Sequence, residues 1–161
     1  MAKTITLALD NKSINRGIKE LQKYKAWVLK KEEELRLRLA MLGATVASIQ
    51  FARAMYDGAK DISVRVDDTG SVAVIYAEGE AVAFVEFGAG AKYGYGHPQA
   101  GEFGMGPGTY PDGKGHWDNE KGWWYGHGKH SYGNPPAMAM YQAVERMTEE
   151  LTKIAREVFS K

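Results

Sequence analysis

An α+β fold is predicted by three features of this sequence. An apolar or aromatic residue returns at every seventh position from Ile14 to Tyr56, two short alternating runs flank Asp67-Asp68-Thr69-Gly70, and a second helical stripe fills the C-terminal end. The first and third are helical periods, and the second is the period of two strands joined by a tight turn. The elements expected are long N-terminal helices, a C-terminal helix and a small, mainly antiparallel β-sheet, with a long loop rich in glycine and aromatic residues. At 161 residues the chain is expected to form a single domain over 1–161, large enough to bury a core without covalent staples.

Composition narrows the function classes. With no cysteine there is neither a disulfide framework nor a thiolate metal site, which suits intracellular synthesis. A net charge of +1 gives no reason to expect a polyanion partner, but the charge is unevenly placed. Residues 1–60 carry 12 Lys and Arg against 6 Asp and Glu, whereas residues 61–161 carry 9 against 14. Such a dipole suits head-to-tail association of copies at least as well as nucleic-acid binding. Met1 to Asp10 lacks the apolar core of a signal peptide, and no run approaches the roughly 18 apolar residues of a spanning helix, so no membrane association is expected.

Taken in order, Thr4 to Leu9 alternates and predicts a short strand. Asp10 or Ser13 can cap the helix that follows, since either oxygen can accept from the free amides of a first turn. The helical region over 11–57 divides into a short helix at about 11–23 and a long one at about 25–56, with Gly43 the place where a bend would fall. Its main seam is Ile14, Leu21, Val28, Leu35, Leu42, Ile49 and Tyr56; the second seam carries Lys25, Glu32 and Arg53, which argues against a continuous coiled coil. Glu32 stands four residues before Arg36, and Glu34 four before Arg38, the spacing of a solvated, internally paired face. The sharper reading of the same face is that Lys30, Lys31, Arg36 and Arg38 meet acidic surface on a neighbouring copy. Asp57-Gly58 is expected to end the helix.

Strands are predicted at 62–66 and 71–76, making a hairpin. After Glu78-Gly79-Glu80 the run Ala81–Phe87 is either a third strand or a short helix, because its mixture of Ala, Val and Phe settles only that it is buried. Residues 62–87 thus hold the hairpin and the Glu86-Phe87-Gly88 entry to the next segment. That segment, 88–134, contains 14 of the 19 glycines, all four histidines (His97, His116, His127 and His130), three of four tryptophans and five of nine tyrosines. A linker would lack the aromatics, so these side chains are expected to bury themselves against something. Within it Gly122-Trp123-Trp124-Tyr125-Gly126 predicts a strand or a strand-like edge. Asn134 as N-cap and Pro135 at the first helical position are expected to open a C-terminal helix over 135–160, with Met140, Val144, Met147, Leu151, Ile154 and Val158 as its apolar stripe.

Four constellations could carry chemistry. His116, Asp118, His127 and His130 are the right ligand types for zinc but have none of its close spacings. Glu86, among Phe84, Val85 and Phe87, could be a general acid or base; the simpler reading is a buried carboxylate that accepts backbone hydrogen bonds and pins the loop. Glycines at 88, 90, 94 and 96 lack the Gly-Lys-Ser/Thr ending of a nucleotide loop. Tyr93, Tyr95, Trp117, Trp123, Trp124 and Tyr125 could stack bases, but residues 88–134 hold four lysines against four acids, and protein contact fits a neutral aromatic surface better.

These residues carry a resemblance. Gly79-Glu80-Ala81-Val82-Ala83-Phe84-Val85-Glu86-Phe87-Gly88, Gly106-Pro107-Gly108-Thr109-Tyr110-Pro111, Lys114-Gly115-His116-Trp117-Asp118, Gly122-Trp123-Trp124-Tyr125 and Gly133-Asn134-Pro135-Pro136-Ala137-Met138 resemble, in order, the motifs of a minor tail-component family of long-tailed bacteriophages, the tail-completion or head–tail joining proteins. The resemblance covers roughly 79–141. It departs at Gly88-Ala89-Gly90, where the family usually has Gly-Thr-Gly, and at Ala139, where it often has proline. It implies an α+β subunit of a virion, made in the bacterial host cytoplasm and assembled as a ring, sixfold like the tail tube, at the head-proximal end of the tail. Its implied partners are further copies of itself, a tail-tube or tail-terminator protein and the head connector or stopper proteins, with DNA passing through the lumen without sequence-specific binding. It implies no catalysis and no cofactor. Loop-anchoring and interface roles are then expected of Glu86, Phe87, Gly88, Tyr93, Tyr110, Trp117, Trp123, Trp124, Tyr125, Pro135 and Pro136. The competing classes are a DNA-contacting or assembly module and a metal-dependent hydrolase.

Overall fold

The computed structural model describes residues 4–6, 8–56, 61–90, 92–93, 96–105, 120–125 and 128–160. The architecture is α+β: a 43-residue helix α1 (Asn11–Arg53), strands β1 (Ser63–Asp68) and β2 (Ala73–Glu78), a short helix α2 (Val82–Phe87), strands β3 (Trp123–Tyr125) and β4 (Lys129–Ser131), and a 21-residue helix α3 (Ala139–Phe159). The sheet is two separate antiparallel ribbons, β1–β2 and β3–β4. Among the described residues no helix is long and apolar enough to cross a membrane.

Helix α1 is one helix where two were expected. No glycine or proline interrupts residues 18–42, and polar positions in a second seam do not break a helix that is open to solvent on that side. It starts where Asp10, in extended conformation, accepts the Ser13 amide at 2.8 Å; Ser13 in turn uses its hydroxyl to accept the Ala8 amide. The described residues among 4–9 form no strand. The helix stops at Arg53, before the expected Asp57-Gly58, which lies outside the described residues.

The face that α1 buries is not the predicted large-residue stripe. Its buried positions in the body are Ala40, Gly43, Ala47 and Phe51, at spacings of three, four and four, while Ile14, Leu21 and Ile49 are exposed. Small residues win there because α3 and the ribbon come in close. A Cβ on Gly43 would lie 2.6 Å from Ile75 Cδ1 and 2.7 Å from Met147 Sδ. The core is Ala47, Phe51, Ala81, Val85, Ala139 and Ala143, and burying a side chain such as Val85 stabilises the fold by about 1.5–3 kcal/mol. Helix α3 runs antiparallel to α1, with Gln50 Nε2 donating to Gln142 Oε1 at 2.7 Å near one end and Phe159 meeting Trp27 edge-on near the other. Its buried face is Ala139, Ala143 and Val158; Val144 and Leu151 of the expected stripe point to solvent.

The hairpin strands lie one to two residues later than predicted and reach to Asp68 and Ala73 around a turn at Thr69–Val72. Val64, Val66, Ala73, Ile75 and Ala77 face inward, and Ser63, Arg65, Asp67, Val74, Tyr76 and Glu78 face outward. Three of the four cations expected to meet a neighbouring copy are engaged within the chain. Arg36 pairs with Asp68 at 3.2 Å rather than with Glu32, Arg38 with Glu34 at 2.7 Å and Glu157 at 3.6 Å, and Lys31 with Glu34 at 3.1 Å. Lys30 is exposed. Residues 81–87, left open between strand and helix, are helical. No side chain at the N-cap Ala81 caps α2; instead Asp61 accepts the amides of Glu80 at 2.7 Å and Ala81 at 3.2 Å, which holds its carboxyl below the usual carboxylate range. Gly88, at φ +79, ends it.

Candidate functional site: the Glu86 junction

Three parts of the chain meet at Glu86: helix α2, the start of the glycine-rich segment and the start of α3. Position 86 lies on the inner side of α2 next to Val85, so its carboxylate is buried and needs partners. It finds them in the first turn of α3. Its oxygens accept the Met140 amide at 3.0 and 3.1 Å and the Tyr141 amide at 3.1 Å. The N-cap residue of α3 is Met138, left-handed at φ +52, whose side chain offers no acceptor to the free amides. Glu86 therefore serves as a remote cap, and its negative charge sits at the positive end of the α3 dipole.

The expected Asn134 cap and Pro135 first turn are overturned, and α3 begins four residues later at Ala139. Asn134 and Pro135 each precede a proline, which disfavours helical backbone at both. The Asn134 amide donates instead to the Phe84 carbonyl at 2.9 Å and to its neighbour Pro135 at 3.3 Å. Its backbone forms a two-way bridge with Ala89, both bonds 3.0 Å. Ala137 and Met138 then donate to the Val85 and Glu86 carbonyls. The two ends of the 88–134 segment are thereby clasped together.

Glycine makes the clasp possible at two positions. Gly133, at φ +99, would place a Cβ 1.9 Å from the Ala89 carbonyl oxygen, and Gly90, at φ +89, 2.4 Å from that of Tyr132. No L side chain fits either place.

His97 completes the junction from inside the segment. It is buried, with Nε2 3.4 Å from Glu86 Oε1, and its Nδ1 accepts the Gln99 amide at 3.1 Å. The proton required on Nε2 by that pattern points at the carboxylate. The imidazole lies 4.5 Å from the Phe87 ring and edge-on to Tyr141, and Phe87 also meets Phe103. Pro136 packs close to Gly88 and Gly96. No sequence signal singled out His97 or Tyr141, because the contacts are made by chain segments distant in sequence.

Chemically the junction is a fastening. Glu86 is engaged by two backbone amides and an imidazole, and no buried side-chain polar atom among the described residues lacks a partner. A groove of about 860 Å³ lies elsewhere, against the first turns of α1, and its lining includes no junction residue.

Of the other expected positions, Trp123 and Tyr125 lie on β3, whose partner strand is β4. Trp124 is 72% exposed, and His130 stands edge-on to both its ring and that of Tyr132. Tyr93 carries Lys92 Nζ 5.2 Å from its ring centroid. Pro135 is half-buried. Tyr110, His116, Trp117, Asp118 and His127 lie outside the described residues, among which no group of three or more potential metal ligands occurs. Comparison of the chain with protein families, curated proteins and solved structures gives no match.

Proposed function

We propose that this chain is a structural virion protein of a long-tailed bacteriophage or prophage, a subunit that forms a ring at the head-proximal end of the tail in tail completion or head–tail joining. The observation that carries the reading is the contrast at the clasped segment. Its base is fixed by the Glu86 carboxylate and the Ala89–Asn134 bridge, while Phe103, Trp124 and Tyr132 expose most of their surface. Exposed aromatic rings on a rigid base are what a protein–protein contact uses. The ordered motifs of 79–141 supply the direction of the reading. In this role function is geometry: heterologous contacts close a ring around a lumen through which DNA passes, and the aromatic surface seals against a second copy or the adjoining tail or connector protein.

Molar mass by light scattering across a concentration series tests it. A ring-sized species is expected, alone or on addition of tail-tube protein. A strict monomer that binds neither tail-tube nor connector protein overturns the proposal.

A further inference from the structure

Helix α1 outruns α3. Helix α3 ends at Phe159 beside Trp27, so α1 residues 11–26 extend past it by roughly 24 Å. Ser13 and Gly17 are buried on one side of this overhang, and beside them Ile14, Ile18 and Leu21 form an exposed stripe, the N-terminal continuation of the face that buries Gly43 and Ala47. A second uncovered apolar surface lies on the hairpin. The inner face of β1–β2 packs on the body, while the outer face exposes Val74 and Tyr76, with Val72 just before them.

We infer that the outer face of the β1–β2 ribbon is the seat for the α1 overhang of a second copy of this chain. The inference rests on the ring reading and names its contact. The two surfaces match in extent, since Ile14 to Leu21 spans roughly 10 Å of helix and Val72 to Tyr76 roughly 13 Å of strand. Charge decides which pairing of copies forms. The overhang carries five Lys and Arg against Glu20, and residues 61–80 carry five Asp and Glu against Arg65. Pairing two overhangs with each other would bring two segments of +4 together, whereas an overhang on a ribbon brings +4 to the −3 that remains once Asp68 is paired with Arg36 of its own chain. Helix α3, the other element with exposed aliphatic residues, holds four acids against three bases and attracts weakly. Lys25 continues the stripe beyond Leu21, and Asp67 shares the ribbon's outer face, so the two surfaces carry opposite charges beside their apolar residues. The contact joins different surfaces of each copy, so it propagates from copy to copy and, where the rotation between copies closes, makes the ring of the proposed function.

Ile18→Asp and Tyr76→Asp test the contact, with sedimentation equilibrium as the readout and circular dichroism to check that both exposed substitutions leave the fold intact. Wild type is expected to associate and each variant alone to be a monomer. An equimolar mixture is expected to form a heterodimer and stop there. The Tyr76→Asp copy keeps its helix and the Ile18→Asp copy its ribbon, so one intact contact remains. Association lost in Ile18→Asp but kept in Tyr76→Asp overturns the inference in favour of helix pairing. Association kept in both overturns the contact and leaves the ring reading standing. A wild type that stays monomeric at every concentration overturns the contact, and its binding to tail-tube protein then decides the ring reading separately.

Discussion

The two long helices of this protein solve the same problem at their N-termini in opposite ways. Helix α1 is capped from next door, Asp10 reaching the Ser13 amide three residues on. Helix α3 is capped from 54 residues away, by Glu86 on α2. A local cap stabilises one turn of one helix. A remote cap ties two elements together, and here it also holds the base of the glycine-rich segment through His97. The difference teaches that the free amides of α3 act as a tertiary fastening.

Breaking the remote cap should have the largest effect. Glu86→Ala leaves two helix amides and the His97 donor without their acceptor in a buried place, and is expected to lower stability by about 3 kcal/mol or more in urea denaturation. Glu86→Gln retains one accepting oxygen and should recover part of that loss. Next comes the clasp. Gly133→Ala forces a side chain against the Ala89 carbonyl and should cost about 2–4 kcal/mol. Faster hydrogen exchange at the Ala89 and Asn134 amides is expected to accompany it. Gly128→Ala is the control: Gly128 also has positive φ, but nothing lies within 4 Å of its Cβ position, so about 1 kcal/mol is expected.

The local cap should cost less and act differently. Asp10→Ala is expected to remove about 1 kcal/mol, with faster exchange confined to the first turn of α1. An effect of Asp10→Ala that spread to α3 would erase the contrast between the two ends. The smallest effect concerns acid. The Arg36 guanidinium, with the Gly70 amide, holds the Asp68 carboxyl below the usual carboxylate range. A depressed folded-state pKa contributes stability that is present above the unfolded value and lost as pH falls through the folded one. Asp68→Asn should therefore flatten the acid limb of a stability–pH curve while leaving its neutral-to-basic limb parallel to wild type.

How much of this was legible varied with distance along the chain. The hairpin, the Trp123–Tyr125 strand and the helical character of both long helices followed from period and turn residues, but local signals divide the first into two helices and start the second four residues early. The small-residue groove of Ala40, Gly43 and Ala47 did not follow, because a search for large apolar side chains passes over the residues that let helices approach closely. The same blindness made Val144 and Leu151 look like core. At the junction, a lone glutamate among phenylalanines announced that a buried carboxylate needs donors, but not which donors. Asn134-Pro135 read as a helix start on local preference alone, and Asn134 was already engaged with Ala89 and Phe84.

By itself, then, the sequence determined what depends on neighbours within a turn or two: helical periods, the hairpin, a helix cap at Asp10 or Ser13 and the glycines that admit positive φ. Tertiary structure alone decided which face of α1 is covered, where α3 begins, and that Glu86, His97 and the α3 amides share one site. The physical reason is range. Backbone preference and local hydrogen bonds act between adjacent residues, whereas a buried carboxylate takes its partners from whatever segments the fold packs around it.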